Sequence, residues 1–267
     1  MKIDSFLQLL WQHYDQHSRT LPWRYPEKDG SFDGYKILVS EMMLQQTQVS
    51  RVTLKYQAWL QRFPDVDSLA RAQWSEVLQM WVGLGYNRRA QYTQQAAQHL
   101  RSTPQPWTID QLQACKGIGP NTAAAICVYA YNQPHVFIET NIRTVFIHHF
   151  FPREKNVSDA MIANVLMRML AGQSPREFYW ALMDYGSYLK RQGRVTAARQ
   201  SQQYHKQSPF RGSKREIRGQ ILKQLAMRNQ VELQVISELI KDERLEQVID
   251  ELVAEGLVQR SGKLLTL

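Results

Sequence analysis

The stretch from Leu112 to Ile126 limits what this chain can fold into more than any other. Within it, Lys116-Gly117-Ile118-Gly119-Pro120-Asn121-Thr122 sets two glycines around one apolar residue, between two segments of helical periodicity. Glycine can enter backbone regions closed to other residues and leaves no Cβ at a turn. A helix, a tight turn and a second helix follow, with room for a phosphate against the turn. Pro120 suits the first position of the second helix, whose outward amides favour an anion. Glu139 lies 22 positions past Gly117, in Val136-Phe137-Ile138-Glu139-Thr140-Asn141-Ile142, at the start of a new apolar segment.

Apolar spacing of three and four residues dominates the rest, and strand signals are scarce before residue 255. It predicts helices over 4–17, 33–48, 50–62, 67–71, 74–82, 87–101, 109–114, 121–130, 139–150, 158–171 and 176–189. So many short helices imply an all-α globule. Further on, helices are predicted over 214–228, 234–240 and 244–254, with a short extended piece at 231–233. Two strands around a Ser261-Gly262 turn close the chain. Three helices and a hairpin read as a winged helix-turn-helix. The third of these helices is not suited to reading a DNA groove. Between Lys241 and Glu255 there are two bases and six acids, which phosphates would repel. A packing module or a docking site for a protein partner is expected there.

The 33 Lys and Arg against 24 Asp and Glu give a formal charge of +9, which suits a polyanionic partner. Eight of those cations fall between Lys190 and Arg215 with no acid among them. That segment reads either as a solvated linker or as a strip along a DNA backbone. The two cysteines, Cys115 and Cys127, have no metal spacing and read as buried free thiols in a reducing compartment. No apolar run approaches 18 residues, and the first residues lack a signal-peptide core. A soluble protein of the cytoplasm, associated with the nucleoid, is expected.

Several segments carry a resemblance. They are Leu21-Pro22-Trp23-Arg24, the stretch 35–49 with its specific Ser40-Glu41-Met42-Met43-Leu44-Gln45-Gln46-Thr47-Gln48, Met80-Trp81-Val82-Gly83-Leu84-Gly85-Tyr86-Asn87-Arg88-Arg89-Ala90, the hairpin, Glu139-Thr140-Asn141-Ile142-Arg143 and Trp180-Ala181-Leu182-Met183-Asp184-Tyr185-Gly186. Together they resemble the helix-hairpin-helix (HhH-GPD) DNA glycosylases over roughly residues 5–210, and among these the adenine-excising MutY type. The resemblance implies a two-lobed helical fold. One lobe is built from residues 1–30 and 135–210, a helical barrel with the hairpin from 31–134, and a winged-helix-like tail from 211–267.

It also implies a chemistry. Breaking the N-glycosidic bond of a purine leaves a cationic sugar and an anionic base, so an acid and a stabilising carboxylate are wanted. By resemblance Glu41 protonates the base, its carboxyl kept neutral by the apolar Ile37, Leu38, Met42 and Met43 around it. Glu139 stabilises the sugar and Asn141 orients it. Gln46 would fill the vacated stack and Tyr86 would wedge beside the opposite base. Lys116, Gly117, Gly119, Asn121 and Thr122 would grip the DNA backbone, with Lys190, Arg191 and Arg194 along the strand. Bifunctional relatives have an amine nucleophile where Asn121 stands. Asn121 cannot form a Schiff base, so a monofunctional enzyme without strong lyase activity is expected.

The chain departs from the pattern in five ways. Glu139 replaces the family's Asp, Asn87 its second Tyr, and Asn121 its Ser or Tyr. Most relatives bind an iron–sulfur cluster through four cysteines; the corresponding positions here are Lys190, Ala197, Gln200 and Lys206. Neither a cluster nor any other metal is therefore expected. No counterpart is expected of the Nudix-like domain that reads 8-oxoguanine in many relatives. The implied partner is double-stranded DNA with a lesion or mismatch, bound by a monomer. Two alternatives remain open: a glycosylase for another lesion, and an inactive protein that binds DNA structures.

Overall fold

The computed structural model describes residues 1–193, 200–203 and 209–267. Fourteen α-helices are present among them, in chain order α1 (Ile3–His17), α2 (Gly34–Leu44), α3 (Val49–Arg62), α4 (Val66–Arg71), α5 (Trp74–Trp81), α6 (Arg88–Leu100), α7 (Ile109–Gln113), α8 (Pro120–Tyr131), α9 (Thr140–Phe150), α10 (Asp159–Leu170), α11 (Pro175–Arg191), α12 (Lys214–Arg228), α13 (Leu233–Leu239) and α14 (Leu245–Ala254). A 3-10 turn covers Pro22–Arg24. Strands β1 (Gln230–Glu232), β2 (Gln259–Ser261) and β3 (Leu264–Thr266) form an antiparallel sheet in the order β1-β3-β2. The all-α reading with a small winged-helix-like tail therefore stands. No helix among the described residues is long and apolar enough to cross a membrane.

The chain separates into two compact units. The first holds residues 1–37, 106–113 and 119–206. Its central helix, α8, is apolar on every side, with Ala123 through Ala130 all buried, as expected of a helix enclosed by others. Asn132 ends it in the left-handed region at φ 55°, a conformation asparagine tolerates. Phe137 stacks on Tyr179 with ring centroids 4.1 Å apart. A buried carboxylate staples this unit. Asp184, on α11, takes two hydrogen bonds of 2.8 Å from the fork of Arg24 and a third from the backbone N–H of Arg19.

The second unit holds residues 38–105, 114–118 and 207–267. Trp59, Phe63 and Trp81 are fully buried there, edge to face. Met42, Met43 and Trp81 are core, as their spacing predicts. The apolar centre of the tail takes in Leu78 of α5, and Trp74 Nε1 donates to the Leu257 carbonyl at 3.2 Å. The six acids of the tail's last helix region do not form a bare anionic face. Glu251 pairs with Lys214 at 2.7 Å, and Glu255 with both Arg218 and Arg88. Arg260 reaches Glu246 at 2.8 Å, and Asp242 accepts from Arg244.

One helix ends earlier than its periodicity predicts. The pattern runs to residue 48, yet α2 stops at Leu44 and Gln46 sits at φ 53°. The cause lies 43 residues on from Gln46, at Arg89. Its guanidinium donates to the carbonyls of Met42 at 2.7 Å and Met43 at 2.9 Å. A continuing helix would offer those two carbonyls to the amides of residues 46 and 47. Thr47 N instead closes a tighter turn onto Leu44 O at 3.2 Å.

Candidate active site

In the first unit, Glu139 is the N-cap of α9 and accepts no capping bond with its side chain. Its own carbonyl receives the Arg143 N–H at 2.8 Å, so the first turn is formed and its free amides face the same end. That end favours a negative charge. Desolvation nevertheless dominates and raises the Glu139 carboxyl above the usual range, while the charges of Arg143 and Lys190 pull it down. Arg143 is itself held in a fork by Asp159, with both bonds at 2.7 Å. Lys190 Nζ donates to Asn141 Oδ1 at 2.7 Å. Burial lowers the Lys190 ammonium and Glu139 opposes that shift. Glu139, Asn141 and Lys190 thus make one cluster, in which a half-buried carboxylate lies near cations.

Two contacts fix where this cluster sits. Asn121, at the start of α8, bonds both backbone groups of Ile138: Nδ2 donates to its carbonyl at 3.2 Å and Oδ1 accepts its N–H at 3.3 Å. The hairpin's second helix therefore holds the residue directly before Glu139. On the other side, a Cβ at Gly186 would collide with the Asn141 backbone carbonyl. Glycine there lets α11 lie directly on the start of α9.

Lys190 stands where the resemblance puts the first cluster ligand, and its ammonium is engaged with Asn141. Gln200, at the third ligand position, donates Nε2 to the Pro152 carbonyl at 3.3 Å. Ala197 and Lys206 lie outside the described residues, as does Arg194. The chain's two cysteines are buried elsewhere, their thiols pushed up to about 11 by desolvation. A four-thiolate cluster does not fit these residues. Arg191 is exposed at the end of α11.

In the second unit, Glu41 lies on α2 with 9% of its surface exposed, beside the fully buried Ser40, Met42 and Met43. A carboxyl in that setting is shielded from water, as expected of a proton donor. Gln46 and Tyr86 both occupy the left-handed region, at φ 53° and 49°. Non-glycine residues hold such angles only where their surroundings impose them. Arg89 imposes both. Besides Met42 and Met43 it bonds Gly85 O at 3.0 Å, Leu84 O at 3.3 Å and Thr47 Oγ1 at 2.9 Å. Desolvation lowers this buried guanidinium to about 10. One cation thus clamps the turn that carries Gln46 to the turn that carries Tyr86. Sequence reading includes Arg89 in the matching stretch 80–90 but gives it no role; the signal available was an arginine two positions after Asn87, following the Gly83-Leu84-Gly85 turn.

The hairpin turn itself divides by residue. Gly117 needs its glycine: its φ is 84°, and a Cβ would strike the Tyr92 ring. Lys116 Nζ sits 5.7 Å from the same ring centroid. Gly119 corrects the expectation. Its φ of −84° is open to any residue, so conformational need does not explain it. Open space surrounds the position where its Cβ would be, which leaves a clear approach to the start of α8. Pro120 occupies the first helical position as predicted, and Thr122 follows in the first turn of α8.

Residues 39–169 match the family described as HhH-GPD superfamily base excision DNA repair protein. An adenine DNA glycosylase of Mycolicibacterium smegmatis is 31% identical, over 98% of this chain and 94% of its own length. The adenine DNA glycosylase of Schizosaccharomyces pombe is 31% identical over 70% of this chain, which spans 45% of that protein. The human adenine DNA glycosylase is 37% identical over 54% of this chain and 28% of its own length. Among solved structures, a trapped complex of endonuclease III with DNA covers 70% of this chain at a TM-score of 0.59 and 15% identity. A thermostable thymine-DNA glycosylase covers 69% at a TM-score of 0.58 and 18% identity. At that identity these two speak to fold alone. On its near-complete match to the mycobacterial relative and on the segment from the hairpin through Glu139, the chain belongs to the HhH-GPD superfamily of base excision DNA repair proteins.

Proposed function

We propose that this protein is a monofunctional DNA glycosylase that flips a mispaired or damaged base out of duplex DNA and hydrolyses its N-glycosidic bond, with adenine as the leading substrate. The observation that carries this reading is Glu139: a carboxylate at a helix start, desolvated, flanked by Lys190 and Arg143, and tied through Asn121 to the hairpin. Such a group can stabilise an oxocarbenium-like sugar, because a fixed negative charge beside the developing cation needs no reorganisation. Glu41 supplies the proton to the leaving base. Gln46 fills the gap and Tyr86 wedges beside the opposite base, each held on a turn by Arg89. Lys116, Gly117, Gly119 and Thr122 take the DNA backbone. No cluster or metal enters the scheme.

The relatives named adenine DNA glycosylase support adenine as the base removed. The test is excision by the full chain on duplexes carrying adenine opposite 8-oxoguanine or guanine, uracil, hypoxanthine, thymine opposite guanine, and alkylated purines. Adenine release is expected, with Glu41→Gln and Glu139→Gln each lowering the single-turnover rate by at least about 100-fold. Release of another base and not adenine would assign a different lesion. Binding with no release would make the chain a DNA-structure-binding protein. Borohydride trapping is expected to give no covalent adduct, since Asn121 stands where an amine would be needed.

A further inference from the structure

The second unit contains a cleft with one wall formed by the Gln46 and Tyr86 turns and a second wall that has no role so far. A cavity of about 880 Å3 lies between the turn of Gln46, the turn of Tyr86 and the first helix of the tail, α12. That is within the ~300–1,000 Å3 usual for ligand sites. One wall carries Gln46 and Tyr86 on their imposed left-handed backbones. The other carries Phe210, Arg215 and Lys223, and Arg51 of α3 also lines the cavity.

Three observations give this cleft its chemistry. Its two aromatic rings stand in solvent, Phe210 at 57% and Tyr86 at 38% exposure. Arg215 connects the walls: its Nη1 donates to the Tyr86 hydroxyl at 2.8 Å, and its guanidinium carbon sits 5.8 Å from the ring centroid. The charge around the cavity is positive. Arg51, Arg215 and Lys223 face one acid, Glu216, whose carboxylate accepts the Gly212 N–H at 2.7 Å. The tail's other acids named above are held by its own cations and by Arg88. Exposed aromatic faces beside a cationic groove suit an unstacked nucleotide, whose base stacks while its phosphate meets the charges.

We propose that Phe210 and α12 form the second wall of a nucleotide-binding cleft, which holds the one nucleotide of bound DNA that base flipping leaves without a partner. The tail is then part of the DNA-binding surface, and Arg215 couples it to the Tyr86 wedge. This inference rests on the glycosylase reading.

The test uses the full chain and a duplex with a tetrahydrofuran abasic analogue, which cannot be cleaved, opposite fluorescent 2-aminopurine. Binding is expected to quench the reporter. Phe210→Ala should abolish most of the quench and weaken binding about tenfold, whereas Phe210→Trp should keep both. Lys223→Met should reduce the salt dependence of binding by about one ion. Quenching and affinity unchanged in Phe210→Ala would overturn the cleft while leaving glycosylase activity standing. So would quenching of a reporter two steps away and not of the partner base. Failure of the wild-type protein to bind the abasic duplex would overturn both readings together.

Discussion

Lys190 Nζ donates to Asn141 Oδ1 across 2.7 Å, two residues from the carboxylate whose charge it shares. A lysine inside a basic run therefore turns inward to the candidate active site. Its cation helps to keep Glu139 ionised against desolvation, so removing it should raise the Glu139 pKa further. Lys190→Met is expected to move the acid limb of the single-turnover rate profile to higher pH, because a neutral Glu139 cannot stabilise a cationic sugar. Lys190→Arg should restore the limb. Coincident profiles for Lys190→Met and wild type would show that Lys190 acts only as packing.

The glutamate at 139 should not be exchangeable for the shorter carboxylate usual in the family. Glu139→Asp withdraws the charge by one methylene, on the order of an ångström, and misplacement of that size can cost about 100-fold in rate. A loss near 100-fold in single-turnover excision, with DNA affinity unchanged, is the expected result. Full activity of the aspartate variant would mean that the pocket does not depend on the longer reach.

Arg89 holds four carbonyls and one hydroxyl with a planar fork that lysine cannot reproduce. Arg89→Lys is expected to destabilise the protein by roughly 2–4 kcal/mol in urea unfolding, since several buried acceptors lose their donor. Binding to an abasic duplex should weaken in the same variant, because both wedge turns relax. A variant with full stability and full affinity would show that the turns hold their shape without the clamp.

Two groups of the first unit predict separate pH windows of stability. Burial lowers the His13 pKa below its usual 6.5, ahead of the effects of His17, Asp184 and Arg191. Neither of its ring nitrogens has a hydrogen-bond partner among the described residues. The unfolded chain therefore takes the proton first, and stability should decline as pH falls below about 7. His13→Phe should flatten that slope. Asp184 behaves oppositely: Arg24 and Arg19 hold its carboxyl below 3.8 in spite of desolvation. Its contribution is present above that value and is lost as pH falls through the lower folded value. Asp184→Asn should cost roughly 3–5 kcal/mol at neutral pH, because it leaves the nearly buried Arg24 without its counter-charge. Thermal denaturation between pH 3 and 8 reads both.

The helices were legible because each follows local rules. Periodicity marks the apolar face, and Pro120 marks the start of α8. What escaped the sequence depends on distant donors. The end of α2 at Leu44 is set by an arginine that no local pattern connects to it. Lys190 reads as one of eight cations in a basic run until its partner at Asn141 is seen, 49 residues earlier. Asn121 reads as a phosphate contact, yet its amide is engaged by the Ile138 backbone. Gly119 reads as conformationally required because it sits beside Gly117, whose φ alone demands it.

Gly186 and Lys190 lie one helical turn apart on α11, and both meet Asn141, the first at its backbone and the second at its side chain. The helix therefore works as a gauge whose zero is set at Gly186. Each residue inserted between the two would rotate everything beyond it by about 100° and advance it by about 1.5 Å. A single insertion at Ser187 would thus swing the ammonium away from the carboxylate without altering any residue of the cluster.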